Sequence, residues 1–301
     1  MVVFHSVHAA RRYVRETRGS GTQKILVQLH APVDVATEEV GFMVDVYGPG
    51  QVLERLRRST QDVELDTYKQ VDGLVVPCIE AIDDYFLDVE SHRKVLLTLP
   101  IFEVPSGAIP LRQTVPASAI RASMGVGAGQ FLVAFFGRYH RHKGFDIFTK
   151  LAVAAGLRQP GRFRFFSAGL GPIAPPRAAG YQDLGWVSDR LGDYIGAADC
   201  VVAPNRHTFF DLAVLEAMSL GKLVITSATG GNKWLARLTE GIILVNEHEP
   251  EAYLSRLLQL EHRELAKHLG EANRRAYELH FSPAPFASRH VRFAAAALAN
   301  C

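Results

Sequence analysis

Short, fully apolar runs that alternate with amphipathic segments dominate this chain of 301 residues. KILVQL (24–29), GLVVP (73–77), KVLLTL (94–99), FLVAFFG (131–137), FRFFSA (163–168), CVVAP (200–204), KLVITS (222–227) and GIILV (241–245) read as strands. Segments 144–156, 188–197 and 250–260 place apolar residues at helical spacing. Strands that are apolar throughout must be covered on both faces, so their alternation with helices implies parallel sheets between helical layers. The segment IFEVPSGAIPLRQTVPAS (101–118) is rich in Pro and Ser, lacks periodicity and reads as a linker. The strand candidates after it suffice for a complete doubly wound domain. Those before it number only three or four, so the N-terminal lobe is expected to be incomplete. The expected division is 1–108, 109–283 and a returning helix over 284–301, introduced by Pro283 and Pro285.

Composition removes several function classes. Thirty-three basic residues against 31 acidic ones leave no global field that would favour nucleic acid. No apolar run reaches the ~18 residues of a membrane-spanning helix, and MVVFHSVHAARRYV lacks the pattern of a signal peptide. Cys78, Cys200 and Cys301 are scattered without metal-ligand spacing, which fits a reduced, cytoplasmic setting.

TFFDLAVLEAMSLGKLVIT (208–226) raises a sharper question. Leu212, Leu215 and Met218 recur at helical spacing beside Ala213 and Ala217, with Asp211 placed to cap the helix and Gly221 to end it. Glu216 lies in the middle of this apolar helix. A carboxylate there costs free energy unless a protein group or a ligand partners it, and either source satisfies the pattern.

Other segments that follow predicted strands offer ligand chemistry. In FLVAFFGRYHRHKGFDIF (131–148), Gly137 makes a turn, and Arg138 and Lys143 suit a diphosphate, the arginine as a fork and the lysine as a point charge. The helix opening near Gly144 would add its positive end. A solvated basic loop is the alternative. Gly169 in SAGLGP, Gly185 to Val187 in LGWVSDRLGDYI, and Gly230 and Gly231 in TGGNKW permit close approach of backbone to a ligand or flank a flat base; each is equally explained as a plain turn. All of these segments would gather at one edge of one sheet, where ligands of parallel sheets bind.

The order GRYHRHKGFD, SAGLGP, LGWVSDRLGDYIGAADCVVAPNR, FFDLAVLEAMSLGKLVI, TGGN resembles the C-terminal domain of GT-B glycosyltransferases of the retaining family 4 type. VDGLVVPCIEAIDDYF and FEVPSGAI resemble segments of the family's N-terminal half and domain linker, so the similarity covers roughly residues 20 to 285. The resemblance implies a GT-B-like α/β fold, two Rossmann-like lobes with parallel sheets. It also implies that Arg138 and Lys143 grip a donor diphosphate and that Glu216 accepts hydrogen bonds from the ribose. Gly137, Gly169, Gly185, Val187, Thr208, Asp211, Leu212, Gly230 and Gly231 complete the implied donor site, and His30, after the strand KILVQL, would face the donor sugar. His30, Arg138 and Lys143 are thereby the implied catalytic residues.

Three departures from the family pattern bear on activity. Thr208, beside His207, stands where the family has a second glutamate that contacts the transferred sugar. Asp211 replaces the glycine before the helix. The family's N-terminal glycine-rich loop has no counterpart, and MVVFHSVHAARRY resembles instead a strand and helix from the middle of that domain, as a truncation or a natural short form would. The expected reaction is sugar transfer from a nucleotide-sugar donor to a glycan or lipid-linked acceptor with retention, as in bacterial surface-polysaccharide assembly. No cofactor and no metal are expected, because no Asp-x-Asp pair follows a strand. Peripheral membrane contact at the inner face and a protein partner or oligomer are compatible with this role. The alternative is a non-catalytic or truncated donor-domain protein that needs a partner to complete its site.

Overall fold

A computed structural model describes residues 1–17, 23–83 and 94–299. The chain divides into two compact units. The first comprises Met1–Pro105, Thr208–Phe210 and the chain from Ala287 onward; the second comprises Ser106–His207 and Asp211–Phe286.

The first unit holds a parallel sheet of β1 (Val2–Phe4), β2 (Ile25–Gln28), β3 (Gly73–Val76) and β4 (Ile101–Glu103), in that order. Helix α1 (Val7–Thr17) connects β1 to β2, and α2 (Val35–Tyr47) with α3 (Gln51–Tyr68) connects β2 to β3. β3 is buried throughout and β2 at its two central positions because helices cover them: Val27, Leu74 and Val76 pack with Val7, Ala10 and Tyr68. The α2–α3 junction is polar but paired. Asp34 caps α2 by accepting the Thr37 N–H at 2.9 Å, and the buried Glu64 accepts the Tyr68 hydroxyl at 2.6 Å and the Val35 N–H at 3.1 Å.

Two sequence expectations require correction here. KVLLTL (94–99) is not a strand: helical turns occupy its described residues, burying Leu96 and exposing Leu97. The strand instead is Ile101–Glu103, at the head of the segment read as a linker. A six-residue apolar run suits a buried turn as well as a strand, and the ladder is decided by a long-range partner. β4 pairs with β3, the Leu74 N–H donates to the Pro100 carbonyl at 2.9 Å, and a Cβ on Gly73 would lie 2.8 Å from that oxygen.

The second unit holds a six-stranded parallel sheet in the order β10-β9-β8-β5-β6-β7. Its strands are β5 (Phe131–Phe136), β6 (Phe163–Ala168), β7 (Tyr181–Asp183), β8 (Cys200–Ala203), β9 (Leu223–Ser227) and β10 (Ile242–Val245). The helices are α4 (Ala117–Ser123), α5 (Phe145–Arg158), α6 (Leu191–Ala197), α7 (Leu212–Ser219), α8 (Gly231–Ala236), α9 (Pro250–Leu260) and α10 (Arg263–His280). The chain leaves β5 towards β6 and β7, then returns to β5's other side with β8. That reversal is the topological switch point beside which parallel sheets bind ligands. β7 escapes detection in sequence because it is a three-residue edge strand, Tyr-Gln-Asp, with one partner.

The last helix, α11 (Pro283–Ala299), is grouped from Ala287 with the first unit. There Phe293 meets the Phe102 ring edge-on at 5.5 Å, and Ala297 is buried beside Leu26 and Val75.

The second unit's core is aromatic. Phe148 on α5 is fully buried, with its ring 5.2 Å from Phe135, 5.8 Å from Phe165 and 6.3 Å from Tyr181. Phe148→Ala is expected to destabilise this unit by about 3–5 kcal/mol, from lost burial and an unfilled cavity. A denaturant titration that follows the unit's own transition checks this, and an unchanged midpoint contradicts it.

Candidate functional site

The loop after β5 is held from below by one side chain. Tyr139 turns inward, its ring stacks on Phe145 at 3.8 Å, and its hydroxyl donates to Asp183 at 2.5 Å and lies 2.8 Å from the Ser167 hydroxyl. Burial, then the bond to Asp183, pushes the tyrosine's pKa well up, so the hydroxyl stays a donor. Because Tyr139 points in, Arg138 is left exposed, and it has no side-chain partner among the described residues. Gly144 opens α5 at φ +67, where a Cβ would come within 1.8 Å of the Pro204 carbonyl, so the loops after β5 and β8 touch through backbone.

Lys143 does not project freely. Its Nζ lies 3.1 Å from Oδ2 of Asp211, which also accepts from the Asn205 amide. The other oxygen of Asp211 accepts the Ala213 N–H at 3.2 Å, capping α7. Burial alone would raise the Asp211 pKa, but the Lys143 charge and the Asn205 hydrogen bond outweigh it and hold the carboxyl below its ordinary range. Asp211 is therefore an ionised, fully partnered anchor that joins three segments.

Glu216 is the opposite case. Its carboxyl is half-buried on α7 and has no side-chain partner among the described residues, while its backbone carbonyl accepts the Ser219 hydroxyl at 2.6 Å. Burial, then the negative charge of Asp211, raises its pKa above the ordinary value. This is an acceptor held in a costly environment with open capacity.

The other implied donor residues divide between the two units. Gly137 and Gly169 lie back to back: the Gly137 N–H donates to the Ala168 carbonyl at 3.0 Å, and a Cβ on Gly169 would lie 1.9 Å from the Gly137 oxygen. Gly185 turns the chain at φ +61 after β7, with Val187 partly exposed beyond it. Gly230, at φ +45, precedes α8 and Gly231 begins it, while Leu212 is exposed on the first turn of α7. Thr208 groups with the first unit, where its hydroxyl is buried without a hydrogen-bond partner among the described residues. His30 also belongs to the first unit, beyond the end of β2. Its Nε2 lies 2.9 Å from Nδ1 of His5, and burial, then His5, lowers its pKa. That pairing occupies one of the two ring nitrogens of His30.

Sequence reasoning missed Asn205, Tyr139 and Asp183 as organisers of the site. Asn205 does sit directly after the strand ending in Pro204, where a polar residue next to a capped helix is a usable signal. Tyr139 was hidden inside a run of basic residues. Among the described residues no group of three or more His, Cys, Asp or Glu is arranged to hold a metal ion, and no helix is long and apolar enough to cross a membrane.

Residues 130–263, which contain β5 through α9, match the family described as Glycosyl transferases group 1. The D-inositol 3-phosphate glycosyltransferase of Nocardiopsis dassonvillei is 27% identical over 175 residues, 48% of this chain and 37% of that protein. The enzyme of the same name from Salinispora tropica is 28% identical over 204 residues, covering 58% of this chain and 40% of its own. The matched region therefore spans well under half the length of these relatives. Among solved structures, sucrose-phosphate synthase from Thermosynechococcus elongatus superposes with a TM-score of 0.68 at 20% identity, over 99% of this chain and 74% of that one. HepE from Anabaena, in complex with UDP-glucose, gives 0.67 at 14% identity over 97% and 76%. The fold is that of the GT-B glycosyltransferases, an α/β architecture with parallel sheets in two Rossmann-like sets.

Glu216 makes a pH-dependent prediction. Its folded pKa is raised, so its favourable contribution is complete below the unfolded value and is lost as pH rises through the folded value. Glu216→Gln removes that loss. The ligand-free variant is expected to melt at the same temperature as the parent near pH ~4 and at a higher temperature near pH ~8. A melting series across that interval tests the sign, and a variant that is less stable at the alkaline end contradicts it.

Proposed function

We propose that this chain binds a nucleotide-sugar through its second unit and serves retaining sugar transfer to a glycan or lipid-linked acceptor. One observation carries the reading: the half-buried carboxylate of Glu216 on α7, without a side-chain partner among the described residues, beside the switch point of a parallel sheet. Two ribose hydroxyls supply donors to this acceptor, and such charged hydrogen bonds are together worth about 1.5–3 kcal/mol. Arg138 is the main cation for the diphosphate because it is exposed and unpaired among the described residues. Lys143 shares its charge with Asp211 and contributes less than an isolated lysine would. The match to Glycosyl transferases group 1 and the UDP-glucose complex of HepE support the donor class. WaaG, described as a glycosyltransferase involved in lipopolysaccharide biosynthesis, superposes with a TM-score of 0.64 at 16% identity and supports a surface-glycan acceptor.

In this reading the bond from the anomeric carbon to the diphosphate breaks and its electron pair goes to the leaving phosphate. Arg138 and Lys143 stabilise that charge, the dominant contribution in sites of this kind. The acceptor oxygen forms the new bond on the same face and its proton passes to the departing phosphate. No metal takes part. Thr208, in place of a sugar-facing carboxylate, favours a second reading: a donor-binding chain that transfers slowly without a partner.

Calorimetry with UDP, GDP, ADP and dTDP, each alone and as a sugar conjugate, tests the reading. Binding is expected for at least one nucleotide, unchanged by EDTA, with Glu216→Ala weakening it by about 1.5–3 kcal/mol. An unaltered affinity in a folded variant rejects the role of Glu216.

A further inference from the structure

We propose that Arg206 is a positioning residue for the donor site: it neutralises the Asp146 carboxylate, so that the turn carrying Arg138 and Lys143 keeps the net positive charge that holds a diphosphate. The inference rests on the nucleotide-site reading above. Arg206 lies in the loop after β8, and its guanidinium forks onto Asp146 in the first turn of α5. Nη1 donates to Oδ1 at 2.7 Å and Nη2 to Oδ2 at 2.8 Å. The same Nη1 donates to the Arg141 carbonyl at 2.7 Å, and the Arg206 N–H donates to the His142 carbonyl at 2.9 Å. One residue thus reaches both the turn after β5 and the helix that follows it.

The charge balance of these segments gives the ion pair its meaning. Residues 137–146 and 204–211 carry four cationic side chains, Arg138, Arg141, Lys143 and Arg206, against two carboxylates, Asp146 and Asp211. Both carboxylates are paired, Asp211 with Lys143 and Asp146 with Arg206. Arg138 and Arg141 are exposed, and neither has a side-chain partner among the described residues. With the histidines neutral, two positive charges remain in excess, and removing Arg206 alone halves that excess. Asp146 then becomes an uncompensated anion three positions beyond Lys143, where it opposes any phosphate that the turn holds.

The pair is sheltered enough for this to count. The Arg206 and Asp146 side chains are 25% and 20% exposed, so water screens them only in part. Burial alone would raise the Asp146 pKa, but the Arg206 hydrogen bonds and charge outweigh it and hold the carboxyl below its ordinary range. Glu249 acts more weakly on the same guanidinium. Both oxygens of Asp146 are matched by the planar fork, which commits Arg206 to the carboxylate, so its effect on a ligand passes through Asp146. The Arg206 N–H bond to His142 is backbone to backbone and does not depend on the side chain at 206. A clasp that only tied the two loops together would be damaged by loss of either partner. A charge balance predicts opposite signs for the two.

Calorimetry with UDP, GDP, ADP, dTDP and inorganic pyrophosphate tests this, at pH ~8, where imidazole is ordinarily neutral. Arg206→Ala is expected to weaken the binding of pyrophosphate, and of each nucleotide that the parent binds, roughly tenfold. Asp146→Asn, which releases the Arg206 charge, is expected to tighten the same binding roughly threefold. The double variant restores the charge balance and is expected to lie within about threefold of the parent. Arg206→Lys, which keeps the charge without the fork, should do the same. Unchanged affinity in a folded Arg206→Ala overturns the proposal, as does a double variant that binds no better than Arg206→Ala. Asp146→Asn decides the matter even where Arg206→Ala does not fold: binding no tighter than the parent's overturns the proposal. A parent protein that binds no nucleotide overturns this proposal and the donor-site reading together. Nucleotide binding that depends on Glu216 but not on Arg206 overturns this proposal alone.

Discussion

The ion pair between Lys143 and Asp211 is the interaction on which the second unit's site depends. Asp211 is buried, so its charge is tolerable only because Lys143, Asn205 and the Ala213 N–H surround it. Each of those partners comes from a different segment: the loop after β5, the loop after β8 and the first turn of α7. One carboxylate thus sets the register of the two loops and the helix. It also creates the problem at Glu216, because a fixed negative charge at the start of α7 makes a second carboxylate on the same helix harder to ionise. The anchor and the open acceptor are parts of one electrostatic arrangement.

A second network fixes the other side of the site by hydrogen bonds alone. Tyr139, Ser167, Tyr181 and Asp183 link the loop after β5 to β6 and the edge strand β7. The loop's single inward ring lets its neighbours face out, so Arg138 is presented by a rigid support. Backbone contacts too close for any side chain, at Gly144 against Pro204 and at Gly169 against Gly137, complete the joint. These glycines serve packing between loops, whatever ligand approaches them.

The first unit is organised differently. Among the described residues its sheet has four strands, two of them only three residues long, and the C-terminal helix supplies part of its cover through Phe293 and Ala297. At the C-terminal edge of that sheet the His5–His30 contact engages one nitrogen of the histidine singled out from sequence. A residue type placed at a strand end is therefore a guide to location, and its neighbours decide which atoms it can offer.

How much of this was legible without coordinates follows from the range of the forces involved. Periodicity and apolar runs are local, so β5, β6, β8, β9 and β10 and the helix around Glu216 could be read from FLVAFF, FRFFSA, CVVA, LVITS, IILV and LAVLEAMS. The capping role of Asp211 was also readable, being a contact two residues long. β4 was misread because Ile101–Glu103 becomes a strand only by pairing with Gly73–Val76, nearly 30 residues earlier in the chain. Lys143 and Asp211 are 68 positions apart, and Tyr139 and Asp183 are 44 apart. No local pattern encodes such pairings. The sequence by itself determined the parallel α/β class and the cluster of candidate groups at one sheet edge, because burial periodicity is a property of each segment alone. Only the tertiary structure decided that Asp211 is spent on Lys143 while Glu216 is left without a side-chain partner among the described residues, because the charge state and availability of a carboxylate depend on what distant segments bring to it.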